Sequence, residues 1–148
     1  MSKGLFFVVI VVALSLILCG CNKQSANLEL PENPIKFVTY GYCPEDSDHG
    51  YRAFDYNGRT YIHFAGYNGA FKKDIGSNCL GLIVQEGVEY DDELVIQLKE
   101  FENNDILMIY FPYGLMDPPY FLRAIDTQGQ AFELPDYIDQ DSIDDFWK

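Results

Sequence analysis

The dipeptide Asn57-Gly58 lies between two runs rich in aromatic and β-branched residues, and it constrains the fold more than any other feature. A type I′ turn needs positive φ at both central positions, which suits Asn-Gly and matches the twist of antiparallel strands. The sequence therefore predicts a β-hairpin over residues 51–64. In this register the cross-strand pairs are Tyr56 with Arg59, Phe54 with Tyr61, and Arg52 with His63.

Side chains alternate along a strand, so the hairpin has one apolar face and one mixed face. The apolar face is predicted to join the core and consists of Tyr51, Ala53, Ile62 and Phe64. The mixed face concentrates Tyr and Arg, which are enriched in binding hot spots. Its candidate partner-binding residues are Arg52, Tyr56, Arg59, Tyr61 and His63. The alternative is that another strand or the C-terminal tail covers this face.

Other segments share the β-branched and aromatic content or the period-two alternation that is typical of strands. The predicted strands are 35–42, 79–85, 93–101, 106–111, 120–126 and 130–134. For residues 93–101 a helix is the alternative, although period two fits better. The proline-rich segment 112–119 is predicted to be a loop, because proline cannot lie inside a sheet.

These strands and turns predict an all-β fold, either a small antiparallel β-sandwich or a barrel. The tail from residue 135 to 148 is predicted to add at most one short C-terminal helix. Its apolar residues Ile143, Phe146 and Trp147 are expected to dock on the sheet.

The N-terminus has the layout of a secretory signal peptide. Lys3 precedes an apolar run over residues 5–18, and small residues and a cysteine follow. The alternative is a membrane-spanning helix. Fourteen residues at about 1.5 Å each reach roughly 21 Å, short of a hydrocarbon core of about 30 Å. Length therefore favours the signal peptide.

The segment Leu18-Cys19-Gly20-Cys21 resembles the lipobox of bacterial lipoproteins. The resemblance implies that residues 1–20 are removed and that the Cys21 thiol carries a diacylglycerol. By the same resemblance, Asn22 implies the outer membrane, with the domain in the periplasm or at the cell surface; in a Gram-positive cell the plasma membrane replaces it. Residues 21–34, which are polar, are expected to form a lipidated tether, and residues 35–148 a single globular β domain.

With Cys19 removed and Cys21 lipidated, Cys43 and Cys79 are left in an oxidising compartment. A disulfide bond between them is therefore expected. It would close a loop of about 36 residues and stabilise the fold by roughly 4 kcal/mol in the chain-entropy model. A catalytic Cys/His pair is the alternative, but a lone thiol in that compartment would be oxidised.

The chain is strongly acidic, with 10 basic and 23 acidic residues. Without Lys3 the mature count is 9 − 23 = −14. This charge argues against nucleic acid and anionic lipid head groups as partners, and it favours solubility and, less specifically, attraction to basic proteins. The alternative is that the acidic surface only solvates the domain.

No catalytic constellation is recognisable. The chain has no Gly-x-Ser-x-Gly elbow and no zinc-binding His-x-x-x-His pair. Residues 46–50 resemble a calcium loop only faintly, because further ligands are missing. The sequence predicts no enzyme, no cofactor and no metal site.

The leading hypothesis is a membrane-tethered envelope lipoprotein that binds another protein. An inhibitor or immunity protein directed against a secreted effector fits within this class. The alternatives are a structural or assembly subunit of an envelope complex and a hydrolase with unassigned carboxylates.

Overall fold

A computed structural model describes residues 28–45, 47–114 and 117–148, apart from the side chain of Asp91. The predicted signal peptide, Cys21 and Asp46 of the calcium-like loop lie outside the described residues. Within the described ranges, no helix combines the length and the apolar content needed to cross a bilayer.

The described residues form eight strands and four short 3₁₀ turns, so the predicted all-β class is confirmed. The strands are β1 (Ile35–Val38), β2 (Tyr40–Tyr42), β3 (Tyr51–Tyr56), β4 (Arg59–Gly66), β5 (Gly76–Gln85), β6 (Val88–Leu98), β7 (Ile106–Tyr110) and β8 (Tyr120–Ala124). The 3₁₀ turns are Lys73–Ile75, Ile125–Thr127, Gln140–Ser142 and Asp145–Trp147. The strand predicted for residues 93–101 from its period-two pattern corresponds to the second half of β6, which ends at Leu98.

All strands belong to one sheet in the order β1-β5-β6-β7-β8-β4-β3-β2. The pairs are antiparallel except β1 with β5, which is parallel. β1 and β2 lie at opposite ends of this order, yet only Thr39 separates them in the chain. The Thr39 amide donates to the Val84 carbonyl at 2.8 Å, and Tyr40 already pairs with Ala53 on β3. One extended run therefore bridges both ends and closes the sheet into a near-complete barrel.

The predicted hairpin is β3–β4, and its register is confirmed at Phe54–Tyr61 and Tyr56–Arg59. Asn57 and Gly58 both have positive φ, at 51° and 74°, as the turn requires. The predicted apolar face is also confirmed, because Tyr51, Ala53, Ile62 and Phe64 are buried.

The barrel has an apolar interior and a partly covered outer face. The interior side chains are Phe37, Phe54, Tyr61, Ile83, Val95, Leu107, Ile109, Leu122 and Ala124. The outer faces of β4 to β8 pack against Leu28, Ile75, Phe101, Tyr137 and Ile138. Leu28 lies in the predicted tether, yet its side chain is buried in this outer cluster. The packed domain therefore includes Leu28.

The predicted strand at residues 130–134 is wrong, because these residues form no strand. The buried Arg123 guanidinium donates to the carbonyls of Thr127 and Gln130 at 2.5 and 2.8 Å. The rings of Phe132 and Trp147 lie 4.6 and 4.8 Å from it. These contacts hold residues 130–134 around the Arg123 guanidinium, so this segment does not pair with the edge of a strand.

The tail forms two 3₁₀ turns where one short helix was predicted. Its predicted docking is confirmed, since Phe146, Trp147 and Ile143 pack against the outer clusters. Trp147 packs edge-on against Phe64 and donates from its indole N–H to the His63 carbonyl at 2.8 Å.

The predicted disulfide is contradicted, because Cys43 and Cys79 are both free. Ile35 pairs with Gly81; Cys79 lies two residues before Gly81, and Cys43 lies eight residues after Ile35. The run leaves β5 at Thr39 but continues through β2 in the same direction, so this offset corresponds to about 30 Å along the strands. A disulfide needs Cα atoms within about 7 Å. The two thiols therefore lie toward opposite ends of the barrel.

Candidate functional site

The mixed face of the β3–β4 hairpin points into the barrel. The side chain of Tyr61 is 0% exposed, and its hydroxyl donates to the Asn104 carbonyl at 2.7 Å. Burial raises the pKa of Tyr61 to about 12. The prediction that Tyr61 lies on a partner-binding surface is therefore wrong. The physical reason is barrel closure, which turns this face of the sheet inward.

Arg59 lies at one end of the barrel, where its donors are used within the molecule. Its guanidinium donates to Asp126 at 2.9 Å, to Asp105 at 2.7 Å and to the Asn103 carbonyl at 3.1 Å. The side chain is 20% exposed. Beside it, the half-buried ring of Tyr56 lies 5.5 Å from the Phe37 ring. These contacts give Arg59 and Tyr56 a structural role in closing this end.

Arg52 lies at the other end, which we call the barrel mouth. Its guanidinium forms an ion pair with Glu93 and donates to the Tyr120 hydroxyl at 3.0 Å. A longer contact of 3.5 Å reaches the Gln85 amide oxygen. Glu93, Tyr120 and Gln85 were missed by sequence reasoning. They come from strands distant in the sequence, and no local signal links them to Arg52.

The barrel mouth opens onto a cavity of about 200 Å³. Its lining residues are Thr39, Arg52, Phe54, His63, Ile83, Ile109, Tyr120 and Leu122. The His63 ring lies 5.7 Å from the Tyr120 ring. Burial lowers the pKa of His63, with Asp144 opposing, which favours the neutral imidazole. Of the five predicted binding residues, the cavity brings together only Arg52 and His63.

A second concave surface lies outside the barrel, between residues 67–73 on one side and residues 110–114 and 117–119 on the other. We call it the aromatic groove; its volume is about 450 Å³. Its described lining residues are Tyr67, Gly69, Phe71, Lys73, Tyr110, Phe111, Pro112, Gly114, Asp117, Pro118 and Pro119. The rings of Phe71 and Tyr110 stack at 5.0 Å, and the Tyr67 ring meets Phe71 edge-on at 5.5 Å.

Tyr113 extends from the loop that borders the aromatic groove. It is 77% exposed, the highest value among the large apolar side chains exposed in the described part of the chain. Phe111, on the groove, lies 6.1 Å from the ring of Tyr120 at the barrel mouth. The cavity and the groove therefore lie at the same end of the barrel, one inside and one outside.

Among residues 28–45, 47–114 and 117–148, no group of three or more His, Cys, Asp or Glu side chains is arranged to hold a metal ion.

Comparisons of the chain with protein-family models, with curated proteins and with solved structures found no match. The described residues thus form an all-β, barrel-like domain, and the cavity and the aromatic groove are its candidate binding surfaces.

Proposed function

We propose that the protein is a non-catalytic, lipid-anchored binding protein of the bacterial cell envelope. Cys21 carries the lipid, by resemblance to the lipobox, and the barrel binds another protein. An inhibitor or immunity protein directed against a secreted, basic effector is the use that we favour. The proposed location is the outer membrane, with the domain in the periplasm or at the cell surface, or the plasma membrane in a Gram-positive cell.

The observation that carries this proposal is the exposure of Tyr113 beside the aromatic groove. Tyrosine combines rigid apolar area with a polar tip, and it is enriched among the few residues that dominate interface energies. The groove beside it offers concave apolar surface for a partner's side chains. Burial of Tyr61 removes the hairpin face as an alternative, and residues 112–114 and 117–119 beside the groove take its place as the proposed binding surface.

Charge supports a basic partner. The described lining of the groove has one positive side chain, Lys73, and one negative side chain, Asp117, so its local charge is balanced. The mature chain as a whole carries 9 − 23 = −14. Such a charge steers a basic protein toward the domain at long range. The apolar groove then supplies the desolvated contacts that determine how long the complex lasts.

The length of the predicted tether supports a site of action near the bilayer. Leu28 is already packed on the barrel, and six residues lie between it and Cys21, so seven residue steps join the two. A chain of seven residues spans at most about 25 Å. A lipidated protein would thus meet its partner close to the membrane surface, where a membrane- or wall-attacking effector acts.

Site-specific photo-cross-linking in cells tests the proposal. A photoreactive residue replaces Tyr113 in the full chain, and a matched chain carries it at Glu102. Glu102 is exposed and lies in the β6–β7 turn, at the opposite end of β7 from the groove. The proposal expects one secreted, basic protein to be captured from position 113 and not from position 102, and the purified pair to bind directly.

Equal capture from both positions, or none from position 113, would contradict the proposal. Capture of an integral envelope complex would instead favour the structural or assembly subunit, which is the alternative function.

A further inference from the structure

The cavity at the barrel mouth has an apolar base and a polar rim. Four buried interior side chains supply the apolar lining, namely Phe54, Ile83, Ile109 and Leu122. Barrels of eight strands are just wide enough either to be filled by their own side chains or to hold one small ligand. Here the interior is filled along most of its length and a space of about 200 Å³ is left at one end.

The rim has hydrogen-bonding capacity that the protein does not use. The Tyr120 hydroxyl accepts a hydrogen bond from Arg52, which leaves its own proton available to donate. The His63 imidazole has no hydrogen bond within the described part of the chain, although its carbonyl accepts from Trp147. A neutral imidazole offers one donor and one acceptor. Two polar groups with rings 5.7 Å apart thus face an apolar space.

The charges at the rim cancel. Glu93 pairs with Arg52, and burial keeps His63 neutral. The rest of the mature chain is strongly acidic, so an anion entering the mouth meets an unfavourable field. An uncharged ligand has no such cost.

We propose that the barrel mouth binds a small uncharged molecule that carries a hydroxyl or carbonyl group on an apolar body of about one aromatic ring. An apolar cavity of about 150 Å³ holds benzene, so about 200 Å³ admits a ring with one or two substituents. The ring contacts Ile83, Ile109 and Leu122, and the polar group meets Tyr120 and His63. This activity is separate from the protein partner proposed above.

Titration with p-cresol tests this inference. The full-length protein, purified in detergent and labelled at histidine, is followed by NMR, with free probe measured by equilibrium dialysis. The chain has two histidines, so the exposed His49 serves as an internal control for His63. A saturable shift at His63 with none at His49 is expected, and toluene, which lacks the hydroxyl, should bind about tenfold more weakly.

Two variants sharpen the test. Tyr120→Phe removes only the hydroxyl, so p-cresol should bind about tenfold more weakly while toluene is unchanged. Leu122→Phe fills the cavity and should abolish the binding of both. A non-saturable shift, an equal shift at His49, or unchanged p-cresol affinity in Tyr120→Phe would overturn the inference. Benzoate binding as tightly as p-cresol would overturn the uncharged class of ligand.

Discussion

Arg52 and Arg59 lie on the same face of one hairpin, yet the barrel gives them different surroundings. Arg59 is enclosed by Asp105 and Asp126 at one end, whereas Arg52 borders an open cavity at the other. The sequence could identify both residues and their shared face, because alternation along a strand is a local property. It could not identify their acidic partners, because these come from β6 and from the segments beside β7 and β8.

The thiols Cys43 and Cys79 should react independently. Cys43 is exposed, whereas Cys79 is buried, and burial raises the pKa of the Cys79 thiol to about 11. In protein made without Cys19 and Cys21, we expect maleimide to label one thiol in the native state and two after denaturation. Mass spectrometry of oxidised, periplasmically produced protein measures this count. No labelling after denaturation would mean that the two cysteines form a disulfide.

His63 should make stability depend on pH. Burial lowers its pKa below the ordinary value of 6.5, so the unfolded chain binds the proton more readily than the folded chain. Neutral His63 makes its whole contribution to the free energy of unfolding above pH 6.5. This contribution is lost as the pH falls toward the lower pKa of the folded state. The melting temperature should therefore decline between about pH 7.5 and 5.5.

The substitution His63→Gln should remove part of this decline, and His49→Gln, at an exposed histidine, should leave it unchanged. Equal pH profiles for the wild type and His63→Gln would show that the imidazole is not desolvated in the folded state.

At the scale of elements, the sequence predicted those strands whose signals are local. The β3–β4 hairpin was predictable because Asn57-Gly58 fixes both the turn and the register. Residues 35–42 were predicted as one strand, but the run divides at Thr39, where it leaves β5 and joins β3. A parallel pairing between strands so far apart in sequence has no local signal. The same holds for residues 130–134, which Arg123 holds in a loop.

Gly81 should be required for closure of the barrel. A Cβ at this position would overlap the backbone of Ile35, its partner in the parallel pair. Gly81→Ala should therefore destabilise the fold by about 1–3 kcal/mol, the usual cost of forced overpacking. The measurement is urea-induced unfolding, with Gly41→Ala on β2 as the control, because a Cβ there meets nothing within 4 Å. Equal stability of the two variants would contradict the β1–β5 pairing.

At the scale of the whole molecule, the spacing of strands and turns predicted the all-β class but left sandwich and barrel equally open. Closure decided where the mixed hairpin face lies, and closure depends on contacts between β1 and β5 that are distant in sequence. The aromatic groove was predictable only as the loop 112–119, since its aromatic rings come from two segments far apart in the sequence, 67–71 and 110–111.

The proposed anchor belongs to the same scale, since it would determine where the molecule acts. Metabolic labelling with a palmitate analogue should disappear in Cys21→Ser and persist in Cys19→Ser. The proposed thioether-linked lipid would require the Cys21 thiol, whereas the resemblance to the lipobox implies that Cys19 is removed with the signal peptide. Gel fluorescence of the purified protein measures the label. Labelling that depends on Cys19 instead would mean that the signal peptide is cleaved before Cys19 and not before Cys21. The absence of any labelling would contradict the lipid anchor.

The most direct test of the proposed binding function is the affinity of the captured partner for Tyr113→Ala. Truncating an interface hot spot costs about 2 kcal/mol or more, which corresponds to roughly 30-fold or more in affinity. We expect this loss mainly in the dissociation rate, with the melting temperature unchanged because Tyr113 is exposed. Leu30→Ala, at another exposed apolar side chain outside the groove, should bind like the wild type. Unchanged affinity in Tyr113→Ala, or an equal loss in Leu30→Ala, would contradict binding through the aromatic groove.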